Sequence, residues 1–226
     1  MLPPKVRLVE VAPRDGLQNE AINLSVTARL AFIESLINAG ISHIECGSFV
    51  SPRRVPQMAS TAELMSQLPR RAGVTYSVLV PNLRGFAAAT AANAGEIAVF
   101  LSASEGFSQA NISCSVADSL RRAEEVIHAA AEKSLPVRGY VSCVVGCPYQ
   151  GLVPPEDVVR VAEALYSLGC YEISLGDTIG VGTPSHVDRL LDAITRRIPP
   201  TALAVHFHDT YGQALVNIYT SLQHGI

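Results

Sequence analysis

The sequence predicts an α/β fold, a (β/α)8 TIM barrel of which seven β/α units are present. Three observations carry that prediction. Short apolar strands alternate with amphipathic helices along the chain, a helix–glycine–strand punctuation recurs, and polar residues with chemical potential gather just past strand ends.

The valine-rich residues 6–11 read as a buried first strand, ended by Pro13. Ser25 is placed to cap a helix over 25–39, with Val26, Leu30, Ile33 and Ile37 on one stripe. Strand 43–47, helix 61–68, strand 75–80, helix 83–93 and strand 96–101 follow. Residues 102–111, with Glu105, Phe107 and Asn111, read as a polar loop. A helix over 116–133 then leads into strand 136–143. Proline in the first turn opens helix 155–168, which repeats Val158, Val161, Leu165 and Leu168. After strand 172–175, helix 184–198 repeats Val187, Leu191, Ile194 and Ile198 and is stopped by Pro199-Pro200. Strand 203–208 and helix 213–223 complete the pattern.

The punctuation is a glycine at the end of a helix, where a left-handed residue closes the last turn without a Cβ penalty. It reads Asn38-Ala39-Gly40, Asn93-Ala94-Gly95, Ser167-Leu168-Gly169 and, last, Gln223-His224-Gly225. The fourth instance launches an eighth unit just before Ile226, and a complete barrel takes about 250 residues. The expectation is therefore one barrel domain over residues 1–226, incomplete at its carboxyl end.

Composition narrows the function. Of the 226 residues 48% are hydrophobic, enough for one large core. A net charge of −3 with no basic run argues against a nucleic-acid partner. No stretch approaches the roughly 18 apolar residues of a membrane span, and the amino terminus has no signal-peptide pattern, so no membrane partner is expected. The five cysteines, Cys46, Cys114, Cys143, Cys147 and Cys170, are an odd set without a disulfide framework and suggest reduced thiols in a cytoplasmic setting. Cys143 and Cys147 lack a second pair, which argues against structural zinc.

The chemistry-bearing residues fall into two clusters. Arg14, Asp15 and Gln18 follow the first strand, where a parallel α/β enzyme presents its site. His206 and His208, two apart at the end of the last strand, point to one face and can share a divalent cation with a carboxylate such as Asp15. In a closed barrel, strands one and seven would be about 9–10 Å apart, with one strand between them. Glu45, Tyr140 and the Asp177-Thr178 pair would face the same mouth. Each residue also has a plainer reading. The histidines could be core residues bonded to carbonyls, Arg14 and Asp15 a loop ion pair, and Glu45 half of a buried structural pair. Glu10 fits a structural pair inside the barrel better than catalysis.

The motifs Arg14-Asp15-Gly16-Leu17-Gln18, Ser48-Phe49-Val50-Ser51-Pro52, Gly139-Tyr140-Val141-Ser142-Cys143, Gly146-Cys147-Pro148-Tyr149, Ser174-Leu175-Gly176-Asp177-Thr178-Ile179-Gly180-Val181-Gly182 and His206-Phe207-His208-Asp209 occur in order along the chain. Together they resemble the 3-hydroxy-3-methylglutaryl-CoA lyase family. The resemblance implies cleavage of a 3-hydroxy-3-methylglutaryl thioester to acetyl-CoA and acetoacetate, in leucine catabolism and ketone-body formation, with Mg2+ or Mn2+. It implies Asp15, His206 and His208 as metal ligands and Arg14, Asp15, Glu45 and His206 as the catalytic set. Arg14, Gln18, Tyr140 and Thr178 would contact an acyl-CoA substrate. The family also uses an asparagine ligand and a cysteine in a Gly-Gly-Cys-Pro loop, which this sequence does not contain, so little turnover is expected from residues 1–226 alone. Alternatives are a lyase for a longer branched substrate, a Claisen-type synthase or aldolase on the same scaffold, or an inactive fragment. A homo-oligomer is compatible with the sequence.

Overall fold

A computed structural model describes residues 2–226. In chain order its elements are α1 (Val26–Asn38), β1 (His43–Ser48), α2 (Thr61–Gln67), β2 (Thr75–Leu79), α3 (Leu83–Ala91), β3 (Glu96–Ser102), α4 (Glu105–Ile112), α5 (Val116–Glu132), β4 (Val137–Ser142), β5 (Gly146–Cys147), β6 (Gly151–Leu152), α6 (Pro155–Leu168), β7 (Glu172–Asp177), α7 (Pro184–Ile194), β8 (Leu203–Phe207) and α8 (Ala214–Gln223). Six strands form a sheet in the order β1-β2-β3-β4-β7-β8, and β5-β6 is a separate antiparallel ribbon. The pairs β1/β2, β2/β3, β4/β7 and β7/β8 are parallel. Parallel neighbours joined through helices are the TIM-barrel class of α/β architecture.

The chain divides into two compact units, one of residues 7–98 and 129–136, the other of residues 1–6, 99–128 and 137–226. In the first, Ile33 of α1 and Ile44, Cys46 and Val78 of the strands are fully buried. The Ser25 hydroxyl accepts from Ala28 N at 3.2 Å and caps α1 as its sequence position predicts. The expected apolar stripe is only partly used, because Arg29, one turn before Ile33, takes the buried position beside it. Its guanidinium donates to Cys46 O at 2.9 Å and Ser60 Oγ at 3.2 Å, tying α1 to the end of β1 and the start of α2. Gly47 leaves room for this: a Cβ there would stand 2.5 Å from Thr61 Oγ1 and 2.9 Å from the Arg29 guanidinium.

In the second unit the periodicity is followed closely. Val158, Val161 and Leu165 of α6 and Val187, Leu191 and Ile194 of α7 are buried. Each such side chain stabilises the fold by about 1.5–3 kcal/mol relative to exposure. His186 at the third position of α7 completes a reciprocal cap with Thr183.

Four expectations need correction. Residues 6–11 do not form a strand: only Glu10 pairs with β1, donating to His43 O at 2.9 Å and accepting from Glu45 N at 2.8 Å. Val6 and Leu8 are exposed, so the run is not buried as its composition suggested. Residues 102–111 are not a polar loop, because Ser104 caps α4 by accepting from Phe107 N at 3.2 Å. The polar composition that suggested a loop belongs to a short amphipathic helix. At the second punctuation mark the left-handed residue is Asn93 (φ 53°), two positions ahead of Gly95, whereas Gly40, Gly169 and Gly225 behave as expected. Finally, α7 ends at Ile194, four residues ahead of the Ile198 boundary, with Ile198 buried after an intervening turn.

Candidate functional site

Each unit contributes one cluster of chemistry-bearing residues, and the two are built differently. In the first unit the chain leaves its Glu10 bridge through a π-helical turn, Ala12–Gly16, with Pro13 in its second position. The turn is tied down by Asp15 N donating to Val11 O at 2.6 Å and by Glu10 Oε1 accepting from Ala12 N at 2.8 Å. Arg14, 8% exposed, points inward from this turn. Its Nε donates to Glu45 Oε1 in a short ion pair, and Nη1 donates to Asp15 Oδ1 at 2.6 Å. Glu45 reaches this pair from the buried side of β1. One guanidinium fork thus holds two carboxylates, a geometry that lysine cannot reproduce. Gln18 follows half-buried. Next to Glu45, burial pushes the Cys46 thiol up to about 12.

In the second unit β8 ends in His206-Phe207-His208. The two imidazoles meet edge to face, with their Nε2 atoms 3.0 Å apart. His208 Nδ1 lies 2.7 Å from the Thr178 carbonyl oxygen. A carbonyl only accepts, so Nδ1 of His208 is the donor in this contact and its Nε2 is turned toward His206. Thr178 follows β7; its hydroxyl accepts from Cys143 N at 2.8 Å. Asp177, buried at the end of β7, accepts from Val181 N at 3.3 Å and Gly182 N at 2.7 Å, holding the loop that carries Thr178. Asp209 Oδ1 accepts from Ala214 N at 2.9 Å at the start of α8. Tyr140, on β4, has the Arg138 guanidinium 5.4 Å from its ring centroid.

Arg14, Asp15 and Glu45 are thus brought together in one unit, and His206, His208 and Thr178 in the other. Thr178 is met here through its carbonyl and its hydroxyl, both engaged with the protein. A further network gave no sequence signal. The Ser104 hydroxyl contacts Cys147 Sγ at 2.9 Å and makes a short hydrogen bond with Gln150 Oε1, linking α4 to the β5-β6 ribbon. Burial raises the Cys147 thiol, but hydrogen bonds from Ser104, from the backbone N–H groups of Tyr149 and Gln150 and from Cys143 outweigh it and bring its pKa below the ordinary value. Burial pushes Cys143 up to about 11. Spacing alone cannot reveal such a contact between segments more than forty residues apart.

The HMGL-like family profile matches residues 5–226. The chain belongs to that family. It is 56% identical over 225 residues to a 3-hydroxy-3-isohexenylglutaryl-CoA/hydroxy-methylglutaryl-CoA lyase of Pseudomonas aeruginosa, covering 100% of this chain and 75% of that protein. It is also 56% identical to the cytoplasmic 3-hydroxy-3-methylglutaryl-CoA lyase of Rattus norvegicus, again over the whole chain, and spans 66% of that protein. The crystal structure of hydroxymethylglutaryl-CoA lyase from Pseudomonas aeruginosa superposes with a TM-score of 0.95, covering 98% of this chain and 74% of that one. No helix among the described residues is long and apolar enough to cross a membrane.

Proposed function

We propose that the chain carries the chemistry of its relatives: metal-dependent cleavage of 3-hydroxy-3-methylglutaryl-CoA to acetyl-CoA and acetoacetate. Relatedness at 56% identity over the whole chain supports the reaction class. The observation that carries the site is the His206–His208 pair. With Nδ1–H of His208 given to Thr178, two ring nitrogens lie 3.0 Å apart on one strand face. If both offer lone pairs they repel, and a shared cation turns that repulsion into coordination.

Asp15, His206 and His208 are the proposed ligands, each offering one carboxylate oxygen or imidazole nitrogen. Oxygen and imidazole donors suit Mg2+ or Mn2+. A divalent cation held by Asp15, His206 and His208 would supply Lewis acidity toward the substrate's tertiary hydroxyl. A carboxylate or imidazole, Asp15 or His206, accepts the hydroxyl proton. The carbon–carbon bond then breaks, the former alcohol carbon becoming the ketone of acetoacetate. The electron pair moves onto the thioester as an enolate, whose charge the Arg14 guanidinium receives. Return of the proton held on Asp15 or His206 to that enolate carbon gives acetyl-CoA. Glu45 and Asp15 fix the plane of the Arg14 fork, and Gln18, Tyr140 and Thr178 border the acyl-CoA.

Residues 1–226 belong to one catalytic barrel domain, incomplete at its carboxyl end, in this reading, and the protein works in the cytoplasm with its five buried cysteines reduced. The native protein that carries this sequence should release acetoacetate from 3-hydroxy-3-methylglutaryl-CoA, lose that activity to a chelator and regain it with Mn2+ or Mg2+. Cleavage that survives exhaustive chelation, or condensation with a 2-oxo acid in place of cleavage, would overturn the reading.

A further inference from the structure

We propose that Asn217, on α8, is a positioning residue for His208, acting through the loop of residues 178–182; this rests on the cation-site reading above. Asn217 is 1% exposed. Its Nδ2 donates to Gly182 O at 2.8 Å, while its Oδ1 has no hydrogen-bond partner. A buried acceptor left unpaired is unfavourable, and a leucine would fill much the same space without one. What the amide alone supplies is the donor to Gly182.

Gly182 is also held from its other side, its N–H donating to Asp177 Oδ2 at 2.7 Å. A Cβ on Gly182 would stand 2.8 Å from that oxygen and 3.4 Å from Asn217 Nδ2, so the two buried side chains grip the peptide closely. At the near end of the loop, Gly180 (φ +65°) packs so tightly that a Cβ would meet His208 O at 2.6 Å. There the Thr178 carbonyl accepts from His208 Nδ1 at 2.7 Å. That bond fixes an N–H on Nδ1 and sets the ring so that Nε2 faces His206. With the Gly182 end released, the loop loses the anchor that holds Thr178 O on Nδ1, and His208 loses its tautomer preference.

The test is imidazole nitrogen NMR on the metal-free protein labelled with 15N-histidine, followed by Mn2+ titration. Wild type should show His208 as the Nδ1–H tautomer. Asn217→Leu should show a mixture of tautomers and bind Mn2+ about 3–10-fold more weakly, below the roughly 10–100-fold of a direct outer-shell partner. Thr220→Val, which removes a hydroxyl that donates only within α8 to Val216 O, should match wild type in both readouts. If Asn217→Leu does not fold, Gly182→Ala presses on the same carboxylate and amide and should give the same mixture. An unchanged tautomer in a folded Asn217→Leu protein that binds Mn2+ overturns the positioning role and leaves the cation site standing. A tautomer change in a protein whose wild type binds no Mn2+ supports the positioning role and removes the cation site.

Discussion

The two clusters differ in how they hold charge. Around Arg14 one guanidinium is bonded to two carboxylates, so the cation is held in place and the cluster carries one carboxylate in excess. At the end of β8 two imidazoles face each other, and the Thr178 carbonyl oxygen lies 2.7 Å from Nδ1 of His208. The first cluster is a preorganised charge array in which two carboxylates fix one guanidinium. The second is a pair of imidazoles whose facing ring nitrogens are arranged as a cation would use them. Fixed charge and fixed donors are different resources, and a reaction that passes from alkoxide to enolate uses both.

Substitutions should separate those resources. Arg14→Met is expected to lower kcat by roughly 10²–10³-fold, the effect of losing one donor to a developing oxyanion, while leaving Mn2+ affinity nearly unchanged. Arg14→Lys should not restore the rate, because a point charge cannot hold both carboxylates. A change in KM alone in steady-state kinetics would reduce Arg14 to a binding role. Stability should be divided in the same direction. Glu45→Gln breaks a buried ion pair and should cost about 3 kcal/mol in urea denaturation, at the lower end for such pairs because Asp15 still holds the guanidinium. Thr178→Val keeps the carbonyl that meets His208 but leaves Cys143 N–H unpaired, and should cost about 1–3 kcal/mol. Equal losses would mean that the first cluster is no more dependent on its charges than the second is on its hydrogen bonds.

One further expected effect is shared by the two units. Burial pushes both Cys46 and Cys170 from 9.0 up to about 12. Above pH 9 the unfolded chain releases thiol protons that the folded chain retains. Stability from each thiol is therefore complete below pH 9 and is lost as pH climbs toward 12, by about 1.4 kcal/mol per pH unit. Cys170→Ala should flatten the slope of urea midpoint against pH over that window. An unchanged slope would mean that the thiol is not protected in the fold.

Much of the architecture was legible because periodicity and punctuation agree: α6 buries Val158, Val161 and Leu165, leaving Leu168 half-buried, and α7 buries Val187, Leu191 and Ile194. The first strand was misread because valine content reports β preference, and no local signal says whether a neighbour covers the run; Val6 and Leu8 remain exposed. The α4 helix was misread because its polar composition resembles a loop until Ser104 is recognised as a cap. For the clusters, residue types and strand-end positions were readable, and the pairing of His206 with His208 follows from strand alternation. The partners that fix them were not. Thr178 acts on His208 through its backbone carbonyl, which has no side-chain signature, and Asn217 reaches Gly182 across 35 residues.

The central claim is that Asp15 and His208 serve one cation, and a double-mutant cycle read by calorimetric Mn2+ titration tests it most directly. Asp15→Asn and His208→Ala should each weaken binding by at least the roughly 10–100-fold typical of outer-shell losses. Together they should cost less than the sum of the two, because a single ion loses its site only once. Strictly additive losses, or an affinity that neither substitution changes, would contradict the account.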